Sequence, residues 1–188
     1  MEIRTATKGD LPRIMELREE FGHSMLYQYF PEVMEKYLDR IIVAEEIIPA
    51  PKSSLDLEDY LEVVGYYHYI VSGDPGFREM LRCYRQMPNS LVKEILLHHR
   101  SDQGWKSCIL MQGACHRDAF EVLVKYLQSQ YQFLWCWNSI TNTDKPSGKI
   151  EGYKRLGFTY REGDKHTFFN VHKGDYSTYR LGRWIKQN

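Results

Sequence analysis

The sequence predicts an α/β domain in which strands and helices alternate along the chain. Residues 41–44, 61–71, 108–111 and 133–137 are β-branched, aromatic or otherwise apolar runs of strand length. Between them lie segments whose apolar side chains recur at helical spacing. Leu11, Ile14, Met15, Leu17 and Phe21 make one such stripe, and Ala119, Phe120, Leu123, Val124 and Leu127 make another. With 188 residues, 43% of them hydrophobic, the chain suits a single domain, 1–188, with a substantial core.

Residues 2–6 alternate and read as a first strand. A helix follows: Asp10 can cap it, and Pro12 falls in its first turn, where a missing N–H is tolerated. Gly22 suits its end. Residues 31–39 read as a second short helix, with Val33, Met34, Tyr37 and Leu38 as its stripe. After strand 41–44 comes a polar loop at 49–58 containing Pro and Ser. Strand 61–71 ends at the turn signal Gly73-Asp74-Pro75-Gly76. Residues 77–100 read as helix, broken at Pro88. The apolar run 108–111, bounded by Gly113, is a short strand. Residues 133–137 are bulky throughout, as a strand buried on both faces requires. A polar loop at 138–149 leads to a short helix ending at Leu156, with Gly157 as its C-terminal cap. Tyr160 and residues 166–171 form a closing hairpin, and residues 176–186 an amphipathic helix.

Lys plus Arg number 25 and Asp plus Glu number 25, so the formal net charge is zero. A whole-chain basic footprint for nucleic acid or an anionic membrane is missing. Cys83, Cys108, Cys115 and Cys136 show no Cys-x-x-Cys spacing and read as reduced thiols of a cytoplasmic protein. The opening stretch MEIRTATKGD has charge but no apolar run, unlike a secretory signal. No stretch approaches the roughly 18 apolar residues that cross a membrane.

The predicted order is β-α-α-β-β, a helical insert, then β-α-β-α-β-β. It resembles that of the GCN5-related N-acetyltransferase family. IRTATKGDLPRIMELREEF looks like the family's first strand and helix. IIVAEE followed by EVVGYYHYIV looks like its second and third strands. GYKRLGF looks like its late Tyr-x-x-x-Gly-Phe segment. The resemblance implies a mixed, mostly antiparallel central sheet flanked by helices. The helical insert at about 74–104, between the third and fourth strands, departs from the family's short hairpin there. It also implies transfer of an acetyl or other acyl group from coenzyme A to an amine, on a small molecule or a protein. The transfer would be direct, through a tetrahedral intermediate.

The family's phosphate signature, Arg/Gln-x-x-Gly-x-Gly/Ala, is incomplete here. The corresponding turn reads Gln112-Gly-Ala-Cys-His-Arg-Asp-Ala119. A diphosphate needs unobstructed N–H groups at a helix N-terminus, and small residues let it approach. Gly113, Ala114 and Ala119 supply small residues, and His116 and Arg117 supply charge partners. Asp118 would repel the anion, and it or His116 can equally cap a helix. By resemblance, Leu110 and Met111 on the fourth strand offer backbone to the pantetheine. Asn138, just after the fifth strand, bonds the pantetheine or the tyrosine helix, or serves as a turn residue. Tyr153 matches the tyrosine that protonates the departing sulfur, and can equally be a core residue. Glu45, Glu46 and His68 are the candidate bases. His68 shares a strand face with Tyr66 and acts as a base only if that face opens to a cleft. In this fold, ordered water can replace a single base. No residue set has the spacing of a metal site.

Two rival readings remain at this level. One is a catalytically altered binding or regulatory module of the same fold, which the incomplete signature favours. The other is a nucleic-acid modifier, which the basic residues of the insert and tail favour and the neutral net charge opposes.

Overall fold

A computed structural model of the chain describes residues 1–21, 31–50, 59–71, 74, 107–140, 148–170 and 175–187. The expected helix stop at Gly22, most of the 49–58 loop, the 73–76 turn apart from Asp74, the 77–100 helix and Cys83 lie outside them. The chain forms two compact units: Met1–His68 with Gln112–Tyr126, and Tyr69–Met111 with Leu127–Asn188.

The first unit contains β1 (Glu2–Thr5), α1 (Leu11–Glu20), α2 (Pro31–Lys36), β2 (Ile41–Ile48) and most of β3 (Tyr60–Val71). β1, β2 and β3 pair antiparallel in that order, Ile3 opposite Ala44 and Val43 opposite Tyr66. The β-branched run Ile41, Ile42, Val43 is buried, and a bulge between Ala44 and Glu45 shifts the register beyond it. α1 buries Leu11, Ile14 and Leu17, the face its spacing predicts. The Asp10 side chain does not cap α1. Its carboxylate closes the preceding turn instead, accepting from the Thr7 N–H at 2.7 Å and from Thr7 Oγ1 at 2.8 Å. The Arg4 guanidinium donates twice to Asp10, at 2.7 and 2.8 Å, and once to Glu45 at 2.6 Å. One cation thus ties β1, the turn before α1 and β2 together, the forked geometry that arginine favours.

The second unit contains β5 (Phe133–Ile140), α4 (Gly148–Arg155), β6 (Thr159–Asn170) and β7 (Asp175–Ile185). β4 (Ser107–Cys115) starts in it and α3 (Arg117–Gln130) ends in it. β4 pairs parallel to β5, from Ser107 opposite Phe133 to Leu110 opposite Cys136. β7 is inserted antiparallel between β5 and β6. β5 is buried on both faces, with Leu134, Trp135 and Cys136 no more than 1% exposed. It runs on to Ile140, so Asn138 lies within a strand and not in a turn.

The tail departs from the sequence reading. Residues 176–186 form no helix: all but the last belong to β7. Tyr160 and residues 166–170 are not two arms of a hairpin; both lie on β6, and the closing hairpin is β6–β7. Tyr176, Thr178, Tyr179, Trp184 and Ile185 all favour strands. Ladders on both edges of β7 satisfy its backbone groups, which outweighs a weak helical period. The end of α4 follows the expectation. Gly157 has φ 84°, the Gly157 N–H donates to the Lys154 carbonyl at 3.0 Å, and the Phe158 N–H donates to the Tyr153 carbonyl at 3.1 Å. These paired bonds form a Schellman cap.

Gly182 on β7 stands opposite both Cys136 and Tyr160. A Cβ there would lie 2.6 Å from Cys136 Sγ and 2.7 Å from Tyr160 Cζ. Gly182→Ala should therefore lower stability by about 1–3 kcal/mol through overpacking. Gly9→Ala, whose Cβ would meet only Thr7 Oγ1 at 3.7 Å, should stay within about 0.5 kcal/mol. Urea unfolding of both variants checks the contrast.

Candidate active site

The β4–α3 junction differs from the turn expected between Gln112 and Ala119. β4 continues as strand through Cys115, His116 alone connects, and α3 begins at Arg117. The reason lies on β3. A Cβ on Gly65 would stand 2.4 Å from Cys115 Cβ and 3.0 Å from Ala119 Cβ. A Cβ on Gly113 would stand 2.7 Å from Tyr67 Cζ and 2.9 Å from the Tyr66 carbonyl oxygen. The small residues here permit close strand packing. The His116 N–H donates to the Val64 carbonyl at 3.1 Å, extending that packing to the strand's end. The His116 carbonyl accepts from Ala119 and Phe120 at 3.1 and 3.3 Å, closing the first turn of α3.

Ala114 is 2% exposed, whereas the His116 imidazole is half exposed. It lies edge-on to Phe21, with ring centroids 5.4 Å apart, and its Nε2 is 3.8 Å from Glu20 Oε1. That contact becomes an ion pair only when the imidazole is protonated. Asp118 is exposed in the first turn of α3, where a carboxylate favours the helix dipole and opposes a second anion. The side chains of Met111 and Arg117 lie outside the described part of the structure.

In the second unit Tyr153 is 4% exposed and packs edge-on against Phe158, with centroids 4.9 Å apart. Leu110, 2% exposed, stands opposite Cys136 on β5. Asn138, also 2% exposed, donates through Nδ2 to Tyr160 Oη at 2.8 Å and to Cys136 Sγ at 3.3 Å. Tyr160 itself lies 3.5 Å from that sulfur. Burial pushes the Cys136 thiol up to about 12, so it stays protonated and is no nucleophile. The Asn138–Tyr160 pair is not legible from local spacing. It depends on β7 entering between β5 and β6 and on Gly182 leaving room for the ring.

The candidate bases Glu45 and His68 stand apart, and Glu46 follows Glu45 on β2, exposed. Glu45 lies opposite Val63, past the bulge, and its carboxylate is bound by Arg4. His68 lies opposite Ile41 at the other end of the β2–β3 pairing. It shares its strand face with Tyr66, as alternation predicts, but that face is closed: they are 1% and 0% exposed. Loss of hydration lowers the His68 imidazole to about 3, which makes it a weak base at neutral pH. Among the described residues no group of three or more His, Cys, Asp or Glu is placed to hold a metal ion. No described helix is long and apolar enough to cross a membrane.

No family model and no curated protein matches the sequence. Solved structures do match, over nearly the whole chain. A ribosomal-protein-alanine N-acetyltransferase from Brucella melitensis is 15% identical, with 99% of this chain and 100% of that one covered and a TM-score of 0.58. Arabidopsis thaliana NAA60, solved with a bisubstrate analogue, is 10% identical, with 98% and 97% covered and a TM-score of 0.59. NAA60 has also been solved with acetyl-CoA. An N-acetyltransferase from Staphylococcus aureus Mu50 is 13% identical, with 98% and 97% covered and a TM-score of 0.57. The chain has the fold of the GCN5-related N-acetyltransferases, with a mixed, mostly antiparallel sheet flanked by helices.

The buried polar groups set the acid stability. Asp10 is held at about 2 against an ordinary 3.8, first by the Arg4 hydrogen bonds. Its folded pKa is depressed, so its contribution is present above about pH 4 and is lost as pH falls towards 2. His68 is held neutral, so the unfolded chain takes up a proton first, and stability declines from about pH 6.5 down to about 3. Denaturant unfolding between pH 7 and 3 should therefore show a decline that starts near 6.5. In His68→Leu the decline should start near pH 4 instead.

Proposed function

We propose that the protein is a coenzyme A-dependent N-acyltransferase whose two units serve as one catalytic domain, 1–188. The fold carries this reading: its elements match N-acetyltransferases over nearly the full length of both chains. Acetyl-CoA, or another acyl-CoA, is the co-substrate, and the acceptor is an amine on a small molecule or a protein. The free thiols of Cys108, Cys115 and Cys136 fit a reducing, cytoplasmic location.

The diphosphate is assigned to the start of α3, where Gly113, Ala114, His116 and Arg117 lie at or just before its first turn. The pantetheine is assigned to the backbone of Leu110 and Met111, with Asn138 supporting it indirectly by holding Tyr160. The acceptor amine attacks the thioester carbonyl. The tetrahedral intermediate collapses with cleavage of the C–S bond, and the Tyr153 hydroxyl gives its proton to the departing thiolate. An unperturbed phenol, with a pKa near 10, is suited to that transfer. With His68 neutral and Glu45 bound by Arg4, the ammonium proton leaves to solvent, and solvent returns a proton to the Tyr153 phenolate.

A second reading, a thioester-binding module without turnover, draws support from the β4–α3 junction. There the His116 N–H is bonded to Val64, and Asp118 opposes an anion. Acetyl-CoA at one hundred times its Kd should stabilise the protein by about 2.7 kcal/mol, roughly 5–10 °C in Tm. No thermal shift at millimolar acetyl-CoA would sink both readings. Tyr153→Phe separates them. It should bind acetyl-CoA almost as wild type does, while acetyl transfer, or the slow hydrolysis of acetyl-CoA by the protein alone, drops on the order of 10²–10⁴-fold. An unchanged rate with a stability loss of about 1 kcal/mol would make Tyr153 a structural residue.

A further inference from the structure

Three strands place a row of polar side chains on one face of the sheet in the second unit. Asn138 on β5 stands opposite Arg180 on β7, and Arg180 stands opposite Lys165 on β6. Residues directly opposite in antiparallel strands have Cα atoms about 4.5–5.5 Å apart and share a face. Arg180 and Lys165 are therefore like charges in direct cross-strand opposition, an arrangement that destabilises a sheet unless an anion offsets it.

Among the described residues neither cation has that offset. Lys154, Lys125 and Arg13 are matched by Glu151, Glu121 and Glu62. Among the described residues no acidic side chain pairs with Arg180 or Lys165. The Arg180 Nε–H is shielded from solvent and meets no acceptor. A guanidinium with a desolvated, unmatched donor is the costly half of a hydrogen bond, and an anionic oxygen supplies the other half. Asn138 walls one side of the row. Its amide is already directed to Tyr160 Oη, so it does not neutralise the arginine. Lys165 is exposed and Arg180 half-buried, so a ligand reaches the row from solvent.

We propose that Arg180, with Lys165, forms a binding site for an anionic oxygen group, a carboxylate or a phosphate. The fork of Arg180 takes two oxygens and Lys165 adds a point charge. The identity of the ligand rests on the acyltransferase reading, which offers two sources: a carboxylate carried by the acceptor, or the 3′-phosphate of coenzyme A.

Calorimetric titration of wild type and Arg180→Gln with inorganic phosphate, glutamate, coenzyme A and 3′-dephospho-coenzyme A tests the site. At least one anionic probe should bind wild type and lose affinity about 10- to 100-fold in Arg180→Gln. The loss should shrink as salt rises. Lys165→Gln should lose less. A loss confined to coenzyme A, with the dephospho form binding both proteins alike, assigns the anion to the 3′-phosphate. Equal coenzyme A binding with a loss for glutamate assigns it to an acceptor carboxylate. Wild type and variant binding every probe alike, both being folded by circular dichroism, overturns the site. Phosphate or glutamate discriminating the two proteins while coenzyme A binds neither would overturn the acyltransferase reading and leave the anion site in place. If Arg180→Gln fails to fold, Arg180→Lys and Lys165→Gln carry the same comparison, because both retain a long side chain in the row.

Discussion

The end of β4 lies so close to β3 that two positions admit no side chain at all, and the geometry of the first unit follows from that. Gly65 faces Cys115 and Ala119, and Gly113 faces the Tyr67 ring. Because the strands approach this far, the His116 N–H reaches the Val64 carbonyl and α3 starts one residue later. Gly113, which a sequence argument connects with phosphate approach, is needed first for packing. Both requirements favour small residues, which is why residue type alone cannot separate them. The His116 N–H is taken up by this packing, which leaves any phosphate contact at the start of α3 to the residues that follow it.

Polar burial explains why a base is hard to find. Arg4 matches two carboxylates, Asp10 and Glu45, and is partly shielded itself. This holds β1 to β2 and keeps the Glu45 carboxylate occupied by Arg4. His68 meets the opposite fate: surrounded by strand and helix, it loses hydration and with it any hold on a proton near neutrality. A carboxylate that is bound and an imidazole that is dry are both poor proton acceptors. An amine acceptor with direct access to water needs neither.

Much of this architecture is legible in the residues. The β-branched run of β2, the stripe of α1, the bulky β5 and Gly157 at the end of α4 each follow from one local rule. What local rules miss is set by pairing across the sheet. The tail reads as a helix because its apolar residues fit more than one period, and only two neighbouring ladders make it β7. β4 reads as ending before Gly113 because glycine is taken as punctuation, whereas a glycine can also mark close backbone approach. The Asn138–Tyr160 bond joins residues on β5 and β6 across an intervening strand. No spacing along the chain announces it, because the strand between them comes later in sequence than either.

Tyr153, the proposed general acid, shows how a local motif can hold a side chain in place. Its carbonyl accepts the Phe158 N–H, and its ring packs on the Phe158 ring. The same pair of residues therefore fixes both the backbone and the direction of the side chain. Gly157 makes this arrangement available, since its φ of 84° is costly for other residues. A general acid gains from being held before the substrate arrives, because no ordering then remains for the transition state. The Schellman bonds and the ring contact together fix the largely buried Tyr153 ring before any ligand arrives.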